Sequence, residues 1–429
     1  MDSIYIDLSR AFDKAGHGLL IRKLKKIGVC GRLLQYCINF LTGGRTQRVL
    51  ANRELSDYLP VDSGVAQGAA LSPVFFSVFI ADIGRIIQQK QEEWRSKQEE
   101  TLPAETVENV WSLLFADDNK ISGAIKTNKD MGKVQEVLEA VYKWVTDHGM
   151  AINASKTFAI RVGTVATEGE NYKAPGGEDI KFVQDSRDLG IQVGAKGDFK
   201  KHISMVVAKC KQVSAWLLRT FRNRNQLFMK FLYRTYIGPH LDYASQVWGP
   251  TTLQELDSLE SVMRSWTRRI PSLQGLHAWD RLEKIQMSSV QRRMERYLCI
   301  YSWKMISGFV SSNEGVREKW GTRGRTLEVP GLKGSQRTKP LRQASFTYRS
   351  AKLYNTLPRH IRDYGGAGGT VQEFKTLLDG YLSKIPDQPR DLLGGYLPAP
   401  VDIHTGTNSN SIEHWRPLLQ RLDPYYNWH

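Results

Sequence analysis

The chain has 429 residues, 41% of them hydrophobic and 24% charged. This globular composition excludes a disordered or collagen-like chain and leaves room for roughly two to four domains of about 100–200 residues. Its net charge of +16 points to a polyanionic partner, nucleic acid before membrane, against the plainer reading of a merely basic globular protein. The four cysteines, Cys30, Cys37, Cys210 and Cys299, form no C-x-x-C pair and no zinc-finger spacing, so they read as core residues of a reduced, intracellular, non-secreted protein.

In chain order, residues 4–8 alternate, with Ile4, Ile6 and Leu8 on one face of a strand and Tyr5 and Asp7 on the other. His17 to Phe40 has helical apolar spacing broken by Gly28 and Gly31, and a short strand pair follows near Gln47–Leu50 and Tyr58–Val61. Leu71 to Ile87 reads as a buried helix with Pro73 near its start. The longest apolar stretch, 69–81, contains that proline and falls short of the about 20 residues needed to span a bilayer, so no membrane partner is expected. The polar segment 88–109 reads as a solvated helix or an insertion. Val110–Phe115 and Lys120–Ser122 would flank Asp117-Asp118 as a hairpin. Val134, Val137, Leu138, Val141, Trp144 and Val145 then mark a helix that Gly149 stops.

After Gly197 the texture changes. Phe199 to Leu241 holds nine Lys/Arg and no Asp/Glu, over a helical apolar stripe that includes Cys210, Val213 and Leu217. Tyr236 to Pro250 reads as an aromatic turn in which Trp248 is a core residue before it is a base-stacking one. Further helices run to about Phe309, followed by a Gly/Arg-rich segment, 317–349. The tail after Pro386 is rich in Pro, Gly and Asn and reads as poorly ordered.

Asp7, Asp117 and Asp118 are three carboxylates that such a fold would bring together at strand ends. Crowded alone they would repel and take up protons. A hard divalent cation removes that cost, since Mg²⁺ is commonly held by one or two carboxylates and substrate phosphates. Two such ions about 4 Å apart can activate a 3′-hydroxyl and stabilise departing pyrophosphate. An isolated Asp-Asp pair is more simply a turn, and it is the order of the surrounding motifs that tells against that reading here.

Those motifs resemble reverse transcriptases of the non-LTR (LINE-type) retrotransposons, of the jockey and CR1-like groups. The family's D-L-S-x-A-F-D is matched by Asp7 to Asp13. S-G-V-P-Q-G-S-x-L-G-P is matched by Ser63 to Pro73, with Ala66, Ala69 and Ser72 as departures. F-A-D-D is matched by Phe115 to Asp118, G-x-x-x-N-x-x-K-T by Gly149, Asn153, Lys156 and Thr157, and a short L-G-I strand by Leu189 to Ile191. Pro239 to Ala244 with Gln246 to Trp248, Gln291 to Tyr297 and Tyr354 to Pro358 resemble regions further downstream in these elements, so the likeness covers about residues 2–380.

The resemblance implies an α+β, right-hand polymerase architecture: a palm of antiparallel sheet with helices on one face, a helical thumb and a mostly helical C-terminal region. The corresponding divisions are 1–195 for the palm, with the polar insertion at about 88–109, 196–249 for the thumb, 250–385 for a helical region of unassigned role and 386–429 for the tail. It implies an RNA-directed DNA polymerase that uses two Mg²⁺ ions (or Mn²⁺) and dNTPs to extend a DNA primer on an RNA template, in the nucleus and cytoplasm of a eukaryote. Asp7, Asp117 and Asp118 would be metal ligands, with the Leu8 carbonyl completing one shell. Phe12 would abut the sugar and exclude a 2′-hydroxyl, or else be an ordinary core ring. Gln67 and Gly68 would contact nucleotide and template, or form only a turn leading into a helix. Lys156 would be the general acid for pyrophosphate, or a solvated lysine. In the basic thumb stretch, Lys200, Lys201, Arg222 and Arg224 would meet duplex phosphates.

Asp7 lies six residues after Met1, so the sequence reads as a C-terminal portion without the fingers region, from a longer polyprotein or a broken element. The alternatives are a catalytically inactive truncated relic and a maturase-like nucleic-acid-binding protein.

Overall fold

The computed structural model describes residues 1–97, 110–163, 171–310, 316–322, 324–331, 339–365, 368–384 and 387. Residues 98–109 of the polar segment, residue 323 and residues 332–338 of the Gly/Arg-rich segment, and all of the tail but Asp387 lie outside them. The chain is mixed α/β and falls into two compact units, Met1–Ser186 with Gly194–Gly197, and Arg187–Val193 with Asp198–His429.

The first unit is organised on a five-stranded sheet in the order Val110–Phe115, Asp118–Gly123, Asp2–Ile6, Phe158–Arg161, Lys181–Phe182. The Asp2–Ile6 strand is central and antiparallel to both neighbours; only the last pair is parallel. Alternation along this strand has its physical consequence here. Ile4 and Ile6 are buried in the core with Ile121, while Tyr5 lies on the opposite face, stacked on Phe158 at 4.9 Å with the Lys120 ammonium 5.3 Å above its ring. The strand's outer end is pinned by a buried ion pair, Asp2 accepting from Arg161 at 2.7 and 2.9 Å and from Tyr172 Oη at 2.9 Å.

The helix Asn128–Asp147 packs on this core through Val134, Val137, Leu138 and Val141. It starts at a capping box in which the Thr127 side chain accepts from Asp130 N and Asp130 accepts from Thr127 N. It stops at Gly149, whose φ of +69° favours glycine; Gly149 N donates to Thr146 O and Met150 N to Val145 O. The apolar run after Leu71 is two helices, Ser72–Ile80 with Pro73 in its first turn and Asp82–Lys97. Phe75, Phe76 and Phe79 fill the core from the former. The strand pair in residues 46–60 is a ladder of two short pairings, Thr46–Gln47 with Leu59–Pro60 and Leu50–Ala51 with Glu54–Leu55, exposed throughout.

Among its described residues the second unit is helical apart from the strand segments at its start and one hairpin, Glu318–Gly321 with Gly324–Leu327. The helix Lys200–Thr220 buries Ile203, Val207, Cys210 and Leu217. The segment expected as an aromatic turn, 236–250, instead folds as the end of a helical run and two short helices, Gly238–Asp242 and Ser245–Trp248. Pro239 occupies a first-turn position where no amide is needed, and Ala244 at φ +50° breaks the run. Trp248 is fully buried, its Nε1 donating to Tyr243 O at 2.7 Å.

Candidate functional site

The antiparallel register explains why the two acidic motifs meet. Tyr5 pairs with Lys120 and Ile6 with Asn119, so one further step brings Asp7 opposite Asp118. Directly opposed residues project to the same face, and here that is the face of Tyr5 and Lys120, away from the Ile4 core. Phe115 pairs with Asp118 across the hairpin. The two-residue turn is Ala116-Asp117, with Ala116 in the left-handed region at φ +52°, a backbone conformation that costs a non-glycine residue free energy and recurs at functional sites. Asp7 and Asp117 are partly exposed and Asp118 exposed.

A second loop is stitched to the same strand end. Ser9 N donates to Ala151 O and Asn153 N to Asp7 O, both at 2.8 Å, around a Leu8–Ile152 bridge. Successive carbonyls on a strand point to opposite edges. Asp7 O faces the 151–153 segment, so Leu8 O faces the edge of the Asp118 strand. From Asn153 the chain makes a tight turn: Lys156 N and Thr157 N donate to Asn153 O at 3.1 and 3.0 Å, and so does Thr157 Oγ1 at 3.0 Å. The turn delivers Lys156 Nζ to 3.9 Å from Asp7 Oδ2. The spacing Gly149, Asn153, Lys156, Thr157 is therefore a helix stop, a strand dock and a turn that carries a cation to a carboxylate.

The third element is the loop at Ser63–Gly68. Val65 N donates to Phe12 O at 2.8 Å, Gly64 N to Ala15 O at 2.9 Å and Ser63 Oγ to Asp13 O at 3.0 Å. Gly64, at φ +84°, lies so close to Asp13 that a Cβ would sit 2.6 Å from Asp13 O and 2.8 Å from its Cα. The Phe12 ring is partly buried and stacks on Phe76 at 4.3 Å. Gln67 and Gly68 are exposed, with Gly68 at φ +87°. Sequence reasoning missed His17, which is buried and places Nε2 2.8 Å from Gly64 O, closing the loop from its far side. Nothing in its local sequence distinguishes it, because its partner is 47 residues away.

In the second unit, Lys200, Lys201 and Arg222 are exposed. Arg224 departs from them: its Nη2 donates to Leu218 O at 2.5 Å and its Nη1 to Phe221 O, so it caps the C-terminal end of the Lys200–Thr220 helix. The Leu189-Gly190-Ile191 motif is a hairpin tip with φ +44° at Leu189 and +86° at Gly190, held by Tyr243 Oη donating to Leu189 O at 2.8 Å.

Among the described residues no three acidic, histidine or cysteine side chains converge closely enough to hold an ion by themselves. Their chemistry does suit a hard cation: Asp7 and Asp118 share one face and one end of adjacent strands, and oxygen ligands from a substrate triphosphate are the usual complement of such a partial shell. Among the described residues no helix is long and apolar enough to cross a membrane.

Residues 3–193 match the family of reverse transcriptases (RNA-dependent DNA polymerases). Over 277 residues, 62% of this chain, the sequence is 27% identical to the RNA-directed DNA polymerase from the mobile element jockey of Drosophila melanogaster. Over 322 residues, 71% of the chain, it is 25% identical to the Pol polyprotein from the type-1 retrotransposable element R2 of Popillia japonica. The chain spans 28% of the first relative and 48% of the second. A solved apo telomerase from Candida tropicalis aligns with a TM-score of 0.35 at 14% identity, covering 69% of this chain and 45% of that one.

Proposed function

We propose that this chain, whose residues 3–193 match the reverse transcriptases and which is similar to the RNA-directed DNA polymerase of the jockey element, is a LINE-type reverse transcriptase that extends a DNA 3′-hydroxyl on an RNA template, with the first unit as polymerase palm and the basic helices after Gly197 as thumb. The observation that carries the reading is the placement at one sheet end of Asp7, the Ala116-Asp117 turn with Asp118 beside it, and Lys156, with Lys156 Nζ 3.9 Å from Asp7.

Asp7, Asp117 and Asp118, with the Leu8 carbonyl, would hold divalent ions, Mg²⁺ by the hardness of the ligands. Bound there, such ions would acidify the 3′-hydroxyl and neutralise the triphosphate. The 3′-oxygen attacks the α-phosphorus of a dNTP, the new P–O bond forms as the α–β bridging bond breaks, and pyrophosphate leaves. Lys156 stands at that end and donates the proton the leaving group takes. The Phe12 ring, backed by Phe76, forms an apolar wall that offers a 2′-hydroxyl no partner. Gly68 lets backbone approach the nucleotide closely, with Gln67 beside it. Lys200, Lys201 and Arg222 neutralise phosphates of the RNA–DNA duplex.

The test is primer extension by the purified chain on a primed RNA template with dNTPs and Mg²⁺, with Asp117→Asn as control. Extension that the substitution abolishes is the expected result. Nucleic-acid binding without extension by either protein would overturn the catalytic reading and leave a binding protein.

A further inference from the structure

The second unit carries aromatic surface that duplex-phosphate contacts do not use. Trp216 is 49% exposed on the Lys200–Thr220 helix, and Tyr236, 42% exposed, meets it edge-on from the following helical run with ring centroids 6.3 Å apart. Nearby, Tyr233 and Trp248 are by contrast completely buried. Tyr236 lies in a π-helical turn, Tyr233–Ile237. Such a turn shifts side chains out of α register and is often found at functional sites. At 3.6 residues per turn, Lys209 lies seven residues before Trp216 on the same stripe and Arg219 three after it. Both are exposed.

The charge around the pair decides what it could bind. From Phe199 to Leu241 there are nine Lys/Arg and no acidic residue, and among the described residues Lys209 and Arg219 make no ion pair. A protein partner for such a face would need an acidic surface with an apolar centre. A nucleic acid strand supplies both features in every nucleotide, an anionic phosphate and a flat base. In a duplex the base faces are stacked on one another, so exposed rings can take only bases that are unpaired.

We propose that Trp216 and Tyr236 form a stacking site for the bases of an unpaired nucleic acid strand, whose phosphates meet Lys209 and Arg219. The site goes beyond the polymerase reading and needs neither Asp7 nor Asp117, so the two can fail separately.

The experiment uses the full chain without dNTPs and measures affinity for three fluorescein-labelled probes of about 12 nucleotides: single-stranded RNA, the same strand with abasic positions, and a blunt RNA–DNA duplex, with single-stranded DNA as a fourth arm for sugar preference. Loss of one stacked base corresponds to roughly a 5- to 150-fold change in affinity. Trp216→Ala is expected to weaken the single strand by about tenfold, to leave the duplex within about twofold and to leave the salt dependence unchanged. Trp216→Phe should restore most of the loss, and the abasic strand should bind wild type and Trp216→Ala alike. Because Trp216 is surface-exposed, unchanged thermal melting of the variant controls for folding. Equal losses on the base-bearing and abasic strands, equal losses on strand and duplex, or no loss on any probe would each overturn the proposal; the last would point to a protein partner.

Discussion

Lys156 Nζ stands 3.9 Å from Asp7 Oδ2, yet the lysine side chain is 68% exposed. A solvent-screened pair of this kind contributes little to stability, so its geometry has to be explained by the turn that makes it. Asn153 N on Asp7 O, and Asn153 O accepting from Lys156 N and Thr157 N, fix where the lysine leaves the backbone. The prediction is a separation of activity from stability. Lys156→Ala should slow single-turnover nucleotide addition by about 10²-fold or more, the usual range for losing a general acid, with the melting temperature unchanged. Equal nucleotide-addition rates in variant and wild type would remove Lys156 from the chemistry.

The Ser63–Gly68 loop makes a prediction of the opposite kind. Gly64 has φ +84°, and a Cβ would lie 2.6 to 2.9 Å from the Asp13 backbone. Backbone cannot swing aside as a flexible side chain can. Gly64→Ala should therefore cost about 1–3 kcal/mol through overpacking alone, with left-handed strain added. His17→Ala removes the bond to Gly64 O, at about 1–3 kcal/mol for unpairing a buried carbonyl, with a further cost for the cavity left by the buried ring. Urea unfolding of both variants checks this. A Gly64→Ala protein as stable as wild type would show that the loop can leave the Phe12–Ala15 segment.

The cations separate in the same way. Lys200, Lys201 and Arg222 face solvent, whereas Arg224 turns back onto Leu218 O and Phe221 O. Each lost phosphate contact should flatten the slope of log affinity against log salt by about 0.7–0.9. The triple change of Lys200, Lys201 and Arg222 to Ala should thus reduce the slope by about 2–3. Arg224→Ala should leave the slope alone and lower the melting temperature. A salt titration of duplex binding with both proteins distinguishes the two roles.

These cases show what could be read from sequence and what could not. The alternation of Ile4, Ile6 and Leu8 identifies the buried face of the central strand, because period two is imposed locally. Gly149 is legible as a helix stop for the same reason, whereas Asn153, Lys156 and Thr157 stand out only through their match to the family's motif. The inward Arg224, the bond from His17 to Gly64 and the exposure of Trp216 beside the burial of Trp248 depend on partners far along the chain or on which face of a helix is covered. Spacing alone does not carry that information, so Arg224 turns inward although it looks like the exposed Lys200, Lys201 and Arg222 in sequence. The 236–250 segment reads as a turn yet folds as helices, because glycine and proline punctuate helix starts as well as loops.

Glu260 gives a prediction in pH. It is buried, and its Oε1 accepts from Gln291 N at 2.8 Å at the start of the Val290–Ile306 helix. Burial pushes its carboxyl up to about 7 from an ordinary 4.5, with the backbone amides of Gln291 and Val290 and the charge of Arg264 pulling back and Asp387 adding to the rise. The folded protein therefore holds this proton more tightly than the unfolded chain. The stabilisation is complete below about pH 4.5 and is lost as pH rises through about 7. Glu260→Gln keeps an acceptor for Gln291 N and carries no charge at any pH. Its stability should exceed wild type at about pH 8, by on the order of 2–3 kcal/mol, and converge with it near pH 5. Urea unfolding of both proteins across that range checks the sign: parallel curves would mean that Glu260 has the same proton affinity in the folded and unfolded chains, and a wild type that gains on the variant as pH rises would mean that the helix amides outweigh the burial.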